Sequence, residues 1–146
     1  YLLKLYGVDT GFEYGFYVTG PYSPELTHEM YHHQNAFENL DSELKLTPDE
    51  TQKIEEIKQL LGLDLVLLDV ASIYGYFVVE ASLPLMESLK QVKRYKSFYS
   101  ETQLVVGISR FKQLFFRPSA EEIAGMKQEV VDWQKVGNYI KKELKK

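Results

Sequence analysis

The sequence predicts a mainly α-helical fold: a compact multi-helix domain with a short N-terminal β element. Three observations predict it, namely four segments that open with helix-capping side chains, apolar residues at three- and four-residue intervals behind those caps, and one aromatic stretch with a two-residue period. With 146 residues, 45% of them hydrophobic, the chain is long enough to bury a core without disulfides or metals. We therefore expect one helical domain over residues 1–146, with further residues preceding Tyr1 because no initiator methionine is present.

Four helix starts are predicted from their capping residues. A serine or threonine oxygen can accept hydrogen bonds from backbone N–H groups of the first turn, and a glutamate or glutamine three residues later can reach back. Thr47-Pro48-Asp49-Glu50 also has proline at the first helical position, where its missing N–H has no cost. The other three predicted caps are Ser23, Ser100 and Ser119.

Behind each cap, apolar residues recur at spacings that place them on one face of a helix. Gly62 follows the second of these stripes as a C-terminal glycine would, and Gly137 within the fourth is expected to allow a close backbone approach or a bend. In chain order, the four stripes are Leu26, Met30, His33, Phe37 and Leu40; Ile54, Ile57 and Leu61; Leu104, Ile108, Phe111 and Phe115; and Ile123, Met126, Val130, Trp133, Gly137, Ile140 and Leu144.

Three segments carry no such cap. Residues 12–18 alternate aromatic and polar positions, which is typical of a half-buried strand. Residues 64–81 are apolar nearly all round; their length favours a buried central helix, and their β-branched and aromatic content leaves two strands as the alternative. Residues 84–96 are predicted to form a helix with Leu85, Leu89 and Val92 facing inward.

The charge is divided unevenly along the chain. Residues 1–89 carry 4 basic and 15 acidic side chains, whereas residues 90–146 carry 13 basic and 6 acidic ones. In one domain the simplest interpretation is that the two halves dock on each other, and a polyanion-binding face is the alternative. The absence of cysteine excludes disulfides and thiolate chemistry, and we expect a cytoplasmic location. No membrane helix is expected, because Asp64, Asp69 and Glu80 interrupt the longest apolar stretch.

No catalytic motif or cofactor-binding motif is recognisable, so the sequence predicts neither an enzyme nor a cofactor. His28-Glu29-Met30-Tyr31-His32 does match the metalloprotease pattern, which makes a zinc hydrolase acting through His28, Glu29 and His32 a remote alternative. The pattern needs a third ligand, and His33 points elsewhere on a helix. We therefore interpret the pair as a solvated polar face, predict no metal site, and expect His33 to be partly buried.

Tyrosines cluster around the run Gly20-Pro21-Tyr22-Ser23-Pro24-Glu25-Leu26. Exposed tyrosines often mark interfaces, because they offer a large contact area at little cost in rotamer entropy. If Tyr14 faces inward, strand alternation turns Tyr17 outward. The predicted partner-binding residues are Tyr17, Pro21, Tyr22, Glu25 and Tyr31.

The alternative is a nucleic-acid-binding regulator that uses the basic segment 90–99. Cations there would contact phosphates, and Phe98 and Tyr99 could stack on bases. A sequence pI near 5.4 argues against this alternative, as does the expected solvated face opposite Leu89 and Val92. The cations concerned are Lys90, Lys93, Arg94 and Lys96.

Residues 1–31 resemble the uncharacterised YwgA-like prokaryotic proteins and, more distantly, the Panacea antitoxin domain of SocA-type proteins. The matching features are Leu2-Leu3 with Tyr6, then Phe16-Tyr17, then the Gly20–Leu26 run; residues 67–74 and 98–101 add weaker similarity. The resemblance implies a helical fold and a regulatory role through a protein partner, in the Panacea case a toxin, and it implies no catalytic residues. We therefore predict a protein-interaction domain whose partner is a toxin or a second copy, and no membrane partner.

Overall fold

The computed structural model describes residues 1–34, 45–116 and 124. The chain divides into two compact units, Tyr1–Phe115 and Phe116–Lys146. Of the second unit only Phe116 and Ala124 are described, so the helix predicted after Ser119 lies outside the described residues, as do Phe37 and Leu40 of the first stripe. The single-domain arrangement stays a prediction.

Six α-helices and one two-stranded hairpin make up the described part of the chain. This confirms the predicted mainly α fold with a short N-terminal β element. The elements are α1 (Leu2–Leu5), β1 (Gly15–Tyr17), β2 (Gly20–Tyr22), α2 (Pro24–His32), α3 (Pro48–Leu61), α4 (Leu65–Gly75), a π-helical turn that continues α4 (Tyr76–Glu80), α5 (Leu85–Tyr95) and α6 (Glu101–Phe115).

The predicted capping boxes are formed at the starts of α3 and α6. The Glu50 backbone N–H donates to Oγ1 of Thr47 at 3.2 Å, while the Glu50 carboxylate accepts from the Thr47 N–H at 2.8 Å. Gln103 and Ser100 repeat the exchange at 3.2 and 2.9 Å. Each box satisfies donors that the first turn of a helix leaves unpaired, which explains why these helices begin where the sequence predicts.

Residues 64–81 form a helix, as predicted in preference to two strands. The carboxylate of Asp64 caps it by accepting from the backbone N–H groups of Val66 and Leu67, a start that the sequence analysis missed. Its middle is largely buried, and the rest of the core packs around it. The fully or almost fully buried residues of α4 are Val70, Ala71, Ile73, Tyr74 and Gly75.

Two glycines bring α4 and α6 into close contact. A Cβ atom at Gly107 of α6 would lie 2.7 Å from Cβ of Val70, and one at Gly75 of α4 would lie 2.6 Å from the ring of Phe111. The Val70 side chain of α4 thus packs on Gly107, and the Phe111 ring of α6 packs on Gly75. Because protein interiors are close-packed, these contacts fix how the two helices lie against each other.

The buried face of α5 differs from the prediction. Val92 is fully buried, but Leu85 and Leu89 are exposed, and Ser88 and the residue that follows the helix, Lys96, lie inside instead. The hydroxyl of Ser88 donates to the Leu83 carbonyl oxygen at 3.3 Å, so its polarity is satisfied. The prediction for Leu85 and Leu89 was wrong because polar partners on neighbouring segments decide which face turns inward.

The predicted strand 12–18 is shorter than expected and has a partner. Gly15–Tyr17 pairs antiparallel with Gly20–Tyr22, a segment that the sequence analysis assigned to the helix junction. Residues 18 and 19 form the loop, and Val18 is exposed there. Gly20 has a φ of +149°, a conformation that favours glycine.

Within the described residues, no single helix is both long enough and apolar enough to cross a membrane. Only α3 and the α4 region together reach that length, and they are bent by 113° relative to each other.

Candidate protein-interaction surface

One face of the hairpin anchors it to the helical core. The ring of Phe16 lies 5.0 Å from that of Tyr76, 5.2 Å from that of Phe77 and 5.1 Å from that of Tyr95, measured between ring centroids. Such separations are typical of favourable aromatic contacts. Pro21 pairs with Phe16 across the hairpin and is half-buried, so it belongs to this anchoring face rather than to the outer one.

The opposite face presents two tyrosines. Tyr17 lies opposite Gly20 and Tyr22 lies opposite Gly15, so neither tyrosine faces a side chain on the paired strand. The two rings pack diagonally across the glycines with their centroids 5.5 Å apart. Tyr17 is 64% exposed and Tyr22 38% exposed, as the strand alternation predicts for Tyr17. We call these two residues the tyrosine pair.

The hairpin continues directly into α2 through the predicted cap at Ser23. Oγ of Ser23, which is buried, accepts from the Leu26 N–H at 3.3 Å and donates to the Glu25 carboxylate at 3.0 Å. Glu25 is exposed in the first turn, where a negative charge complements the helix dipole. The cap therefore fixes where α2 leaves the hairpin and where Glu25 stands.

α2 itself presents side chains rather than burying them. None of its nine residues, all described, is buried. Met30 is exposed and Tyr31 is 81% exposed, so the predicted stripe does not face a core within the described part of the chain. His33 is exposed as well, which corrects its predicted partial burial; its Nε2 lies 3.6 Å from the Glu29 carboxylate.

The histidines of the metalloprotease-like pattern lie side by side on α2. The rings of His28 and His32 are exposed, with centroids 4.2 Å apart. Within residues 1–34 and 45–116, no three histidine or carboxylate side chains come together to hold a metal ion. That part of the chain therefore supplies no third protein ligand for a hydrolytic zinc centre.

The predicted basic segment is divided between surface and interior. Lys96 is only 3% exposed, and its Nζ lies 2.7 Å from Oδ2 of Asp69. Oη of Tyr99 donates to the same carboxylate oxygen at 2.9 Å, and burial together with this hydrogen bond raises the pKa of Tyr99. Lys96 is thus not part of an exposed cationic surface.

The other three cations of that segment are exposed. Lys93 lies 2.6 Å from the Glu101 carboxylate and Lys90 lies 3.4 Å from that of Glu87. Arg94 is exposed as well. Acidic partners therefore offset part of the positive charge that a polyanion would need.

An apolar cleft that the sequence analysis did not predict lies between α5 and α6. It encloses about 150 Å³, and Lys93 and Glu101 are its only charged lining residues among those described. Periodicity predicts Leu89 on the inward face of α5, and only its exposed position in the structure reveals the cleft. The residues that line it are Leu89, Val92, Lys93, Glu101, Leu104, Val105 and Ile108.

Together, these features define a small helical domain whose tyrosine-bearing hairpin is anchored to the core. Comparison with protein-family models, with curated proteins and with solved structures gave no match in any of the three. The resemblance to YwgA-like and Panacea proteins accordingly rests on the residues quoted for it.

Proposed function

We propose that the protein is a regulatory protein-interaction domain that binds a protein partner through the tyrosine pair. The observation that carries the proposal is the packing of Tyr17 against Tyr22 on the outer face of a hairpin whose inner face is anchored by Phe16. Tyrosine is enriched at the centres of interfaces, because its ring buries apolar area while its hydroxyl forms hydrogen bonds.

Pre-organisation supports this proposal. Binding costs free energy when side chains and loops must be ordered on contact. Here each tyrosine ring already packs on the other, and the strand beneath them is held by the Phe16 contacts. A partner would therefore meet a surface that has already lost much of its conformational freedom.

Glu25 and Tyr31 extend the proposed contact along α2. They are six positions apart, which corresponds to about 9 Å along a helix axis. The exposed carboxylate of Glu25 favours a partner with a basic residue at the rim, where charge complementarity speeds association and selects partners. Pro21 contributes indirectly, because it lies on the anchoring face.

The antitoxin-like character and the cytoplasmic location are part of the same proposal. The first depends on the resemblance of residues 1–31, and the second on the absence of cysteine. The partner would then be a toxin protein or a second copy of this chain. A protein partner is favoured over nucleic acid because Lys96 is buried and Lys93 lies against Glu101.

Co-purification from the native host tests the proposal. Tagged wild type is expected to retain a stoichiometric partner that the Tyr17→Ala/Tyr22→Ala double variant loses. The matched control is Phe98→Ala, since Phe98 is also an exposed aromatic residue but lies beyond α5, outside the hairpin and α2. Sedimentation of each purified protein shows whether a second copy is the partner.

Loss of the partner in the double variant alone would support the proposal. Recovery of only free monomer from the wild type, or equal retention by the double variant, would contradict it. Loss in Phe98→Ala instead would move the interface to the α5–α6 side, and a co-purifying nucleic acid that depends on Lys90 and Arg94 would favour the alternative.

A further inference from the structure

We propose that His28 and His32 form a chelating site for a divalent transition-metal ion of the zinc, nickel or copper class. The two imidazoles are one helical turn apart on α2, their centroids are 4.2 Å apart, and both are exposed. This site is distinct from a hydrolytic centre, because two protein ligands hold the ion and its remaining positions stay open. It goes beyond the proposed partner contact, and Glu25 borders both.

The ligand chemistry fits these metals. Imidazole nitrogen is a preferred ligand of zinc, nickel and copper, at about 2.0–2.1 Å for zinc. Residues four apart on a helix lie on the same face, so two imidazoles there can reach one ion. Calcium and magnesium are disfavoured, because they select oxygen ligands.

The surroundings of the pair favour a cation. Glu25, His28, Glu29 and His32 follow the spacing that places side chains along one helix face, so the imidazoles alternate with carboxylates. Glu25, His28 and Glu29 line a shared shallow depression together with Pro24. Glu25 also bonds Ser23 and Glu29 also faces His33, so we assign them an electrostatic contribution and not a place among the ligands.

The ion would stabilise the helix that holds it. A nine-residue helix is marginal without tertiary packing, and α2 has no buried side chain. Metal binding that requires the helical arrangement of its ligands adds its free energy to that of the helix. A bound ion would therefore hold α2 from its middle to its C-terminal end, in addition to the cap at Ser23.

The chain contains its own control. It has three histidines in all, and His33 lies next to the pair in sequence but faces Glu29. Untagged full-length protein should be titrated with Zn²⁺ and, separately, Ni²⁺ by calorimetry, in wild type, His28→Gln, His32→Gln and His33→Gln. The glutamines keep a polar side chain on an exposed helix, so folding should be unaffected, and circular dichroism checks this.

Wild type is expected to bind one ion, and either His28→Gln or His32→Gln should weaken binding on the order of tenfold or more, because each removes half of a chelate. His33→Gln should match wild type. Metal should also slow amide exchange within residues 24–32 in wild type and not in His28→Gln. Absence of binding by wild type, or equal weakening by all three variants, would overturn the proposal.

Discussion

The ammonium group of Lys96 lies 2.7 Å from the carboxylate of Asp69 and ties the end of α5 to α4. The Lys96 side chain is only 4% exposed, and the same carboxylate also accepts from Oη of Tyr99. Removing Lys96 would leave the Asp69 carboxylate, whose side chain is 31% exposed, without its cation and with the Tyr99 hydroxyl as a remaining donor. The contact therefore has consequences for stability that the surface ion pairs of this chain lack.

Lys96→Ala is expected to lower the free energy of unfolding by about 3 kcal/mol. The matched control is Lys93→Ala, which removes an exposed pair with Glu101 and should cost less than about 1 kcal/mol. Urea denaturation monitored by circular dichroism measures both. Equal losses in the two variants would show that the Asp69–Lys96 pair is no stronger than a surface pair.

The contact between Gly107 and Val70 predicts a second stability effect. Gly107→Ala places a methyl group 2.7 Å from Cβ of Val70 and should lower the free energy of unfolding by about 1–3 kcal/mol. In the double variant with Val70→Ala, the two losses should be less than additive, because the smaller residue makes room for the new methyl group.

The control for this effect is Gly15→Ala. An added Cβ there meets nothing within 4 Å, so the change should alter the free energy of unfolding by less than about 0.5 kcal/mol. Thermal denaturation of the four variants gives the comparison. Additive losses for Val70 and Gly107 would contradict the contact, because Gly107→Ala by itself should raise helix propensity and additivity means that the two sites act independently.

The two faces of the hairpin should respond differently to truncation. Phe16→Ala removes the ring that contacts Tyr76, Phe77 and Tyr95 and should lower the free energy of unfolding by about 2–3 kcal/mol. Tyr17→Ala on the outer face should cost less than about 1 kcal/mol. Amide exchange over residues 15–22 should quicken in the first variant, and similar behaviour of both would contradict the anchoring role.

The capping box of α3 predicts a pH dependence. The backbone N–H of Thr47 donates a hydrogen bond to the Glu50 carboxylate, and the Thr47 hydroxyl donates a second one. These two hydrogen bonds hold the pKa of Glu50 below its usual value of 4.5. A pKa lowered on folding contributes stability above the unfolded value, and that contribution disappears as the pH falls through the folded value. The free energy of unfolding should therefore decrease from about pH 5 downward.

Glu50→Gln should flatten that part of the curve, because glutamine has no proton to gain and can still bond the Thr47 N–H. Chemical denaturation at intervals between about pH 5 and pH 3 measures the slope. A slope identical in wild type and variant would show that the Glu50 carboxylate is not what the acid affects.

The features that the sequence predicts correctly are mostly local. A capping box is completed within four residues, so Thr47 and Ser100 mark helix starts whatever surrounds them. The inward face of α5 is not local: Lys96 turns inward because Asp69, 27 positions earlier in the sequence, accepts its charge. Periodicity alone could not identify that partner.

The second strand illustrates a similar limit. Proline in a run that opens a helix argues against a strand, yet Pro21 fits opposite Phe16 because only alternate residue pairs of an antiparallel ladder exchange hydrogen bonds. The outward position of Tyr17 follows from a two-residue period, whereas its packing on Tyr22 depends on the register. The spacing of His28 and His32 is likewise visible in the sequence, and the 4.2 Å between their rings only in the structure.

The close packing of α4 against α6 also restricts which substitutions the two helices tolerate. Two contacts interlock the helices: Val70 of α4 packs on Gly107 of α6, and Phe111 of α6 packs on Gly75 of α4. A larger residue at either glycine therefore requires a smaller residue at the position it contacts. Divergent relatives should therefore keep a small residue at both glycine positions long after the surface has drifted. Distant homologues should therefore be easier to recognise by these two spacings, Val-x4-Gly and Gly-x3-Phe on separate helices, than by overall sequence identity.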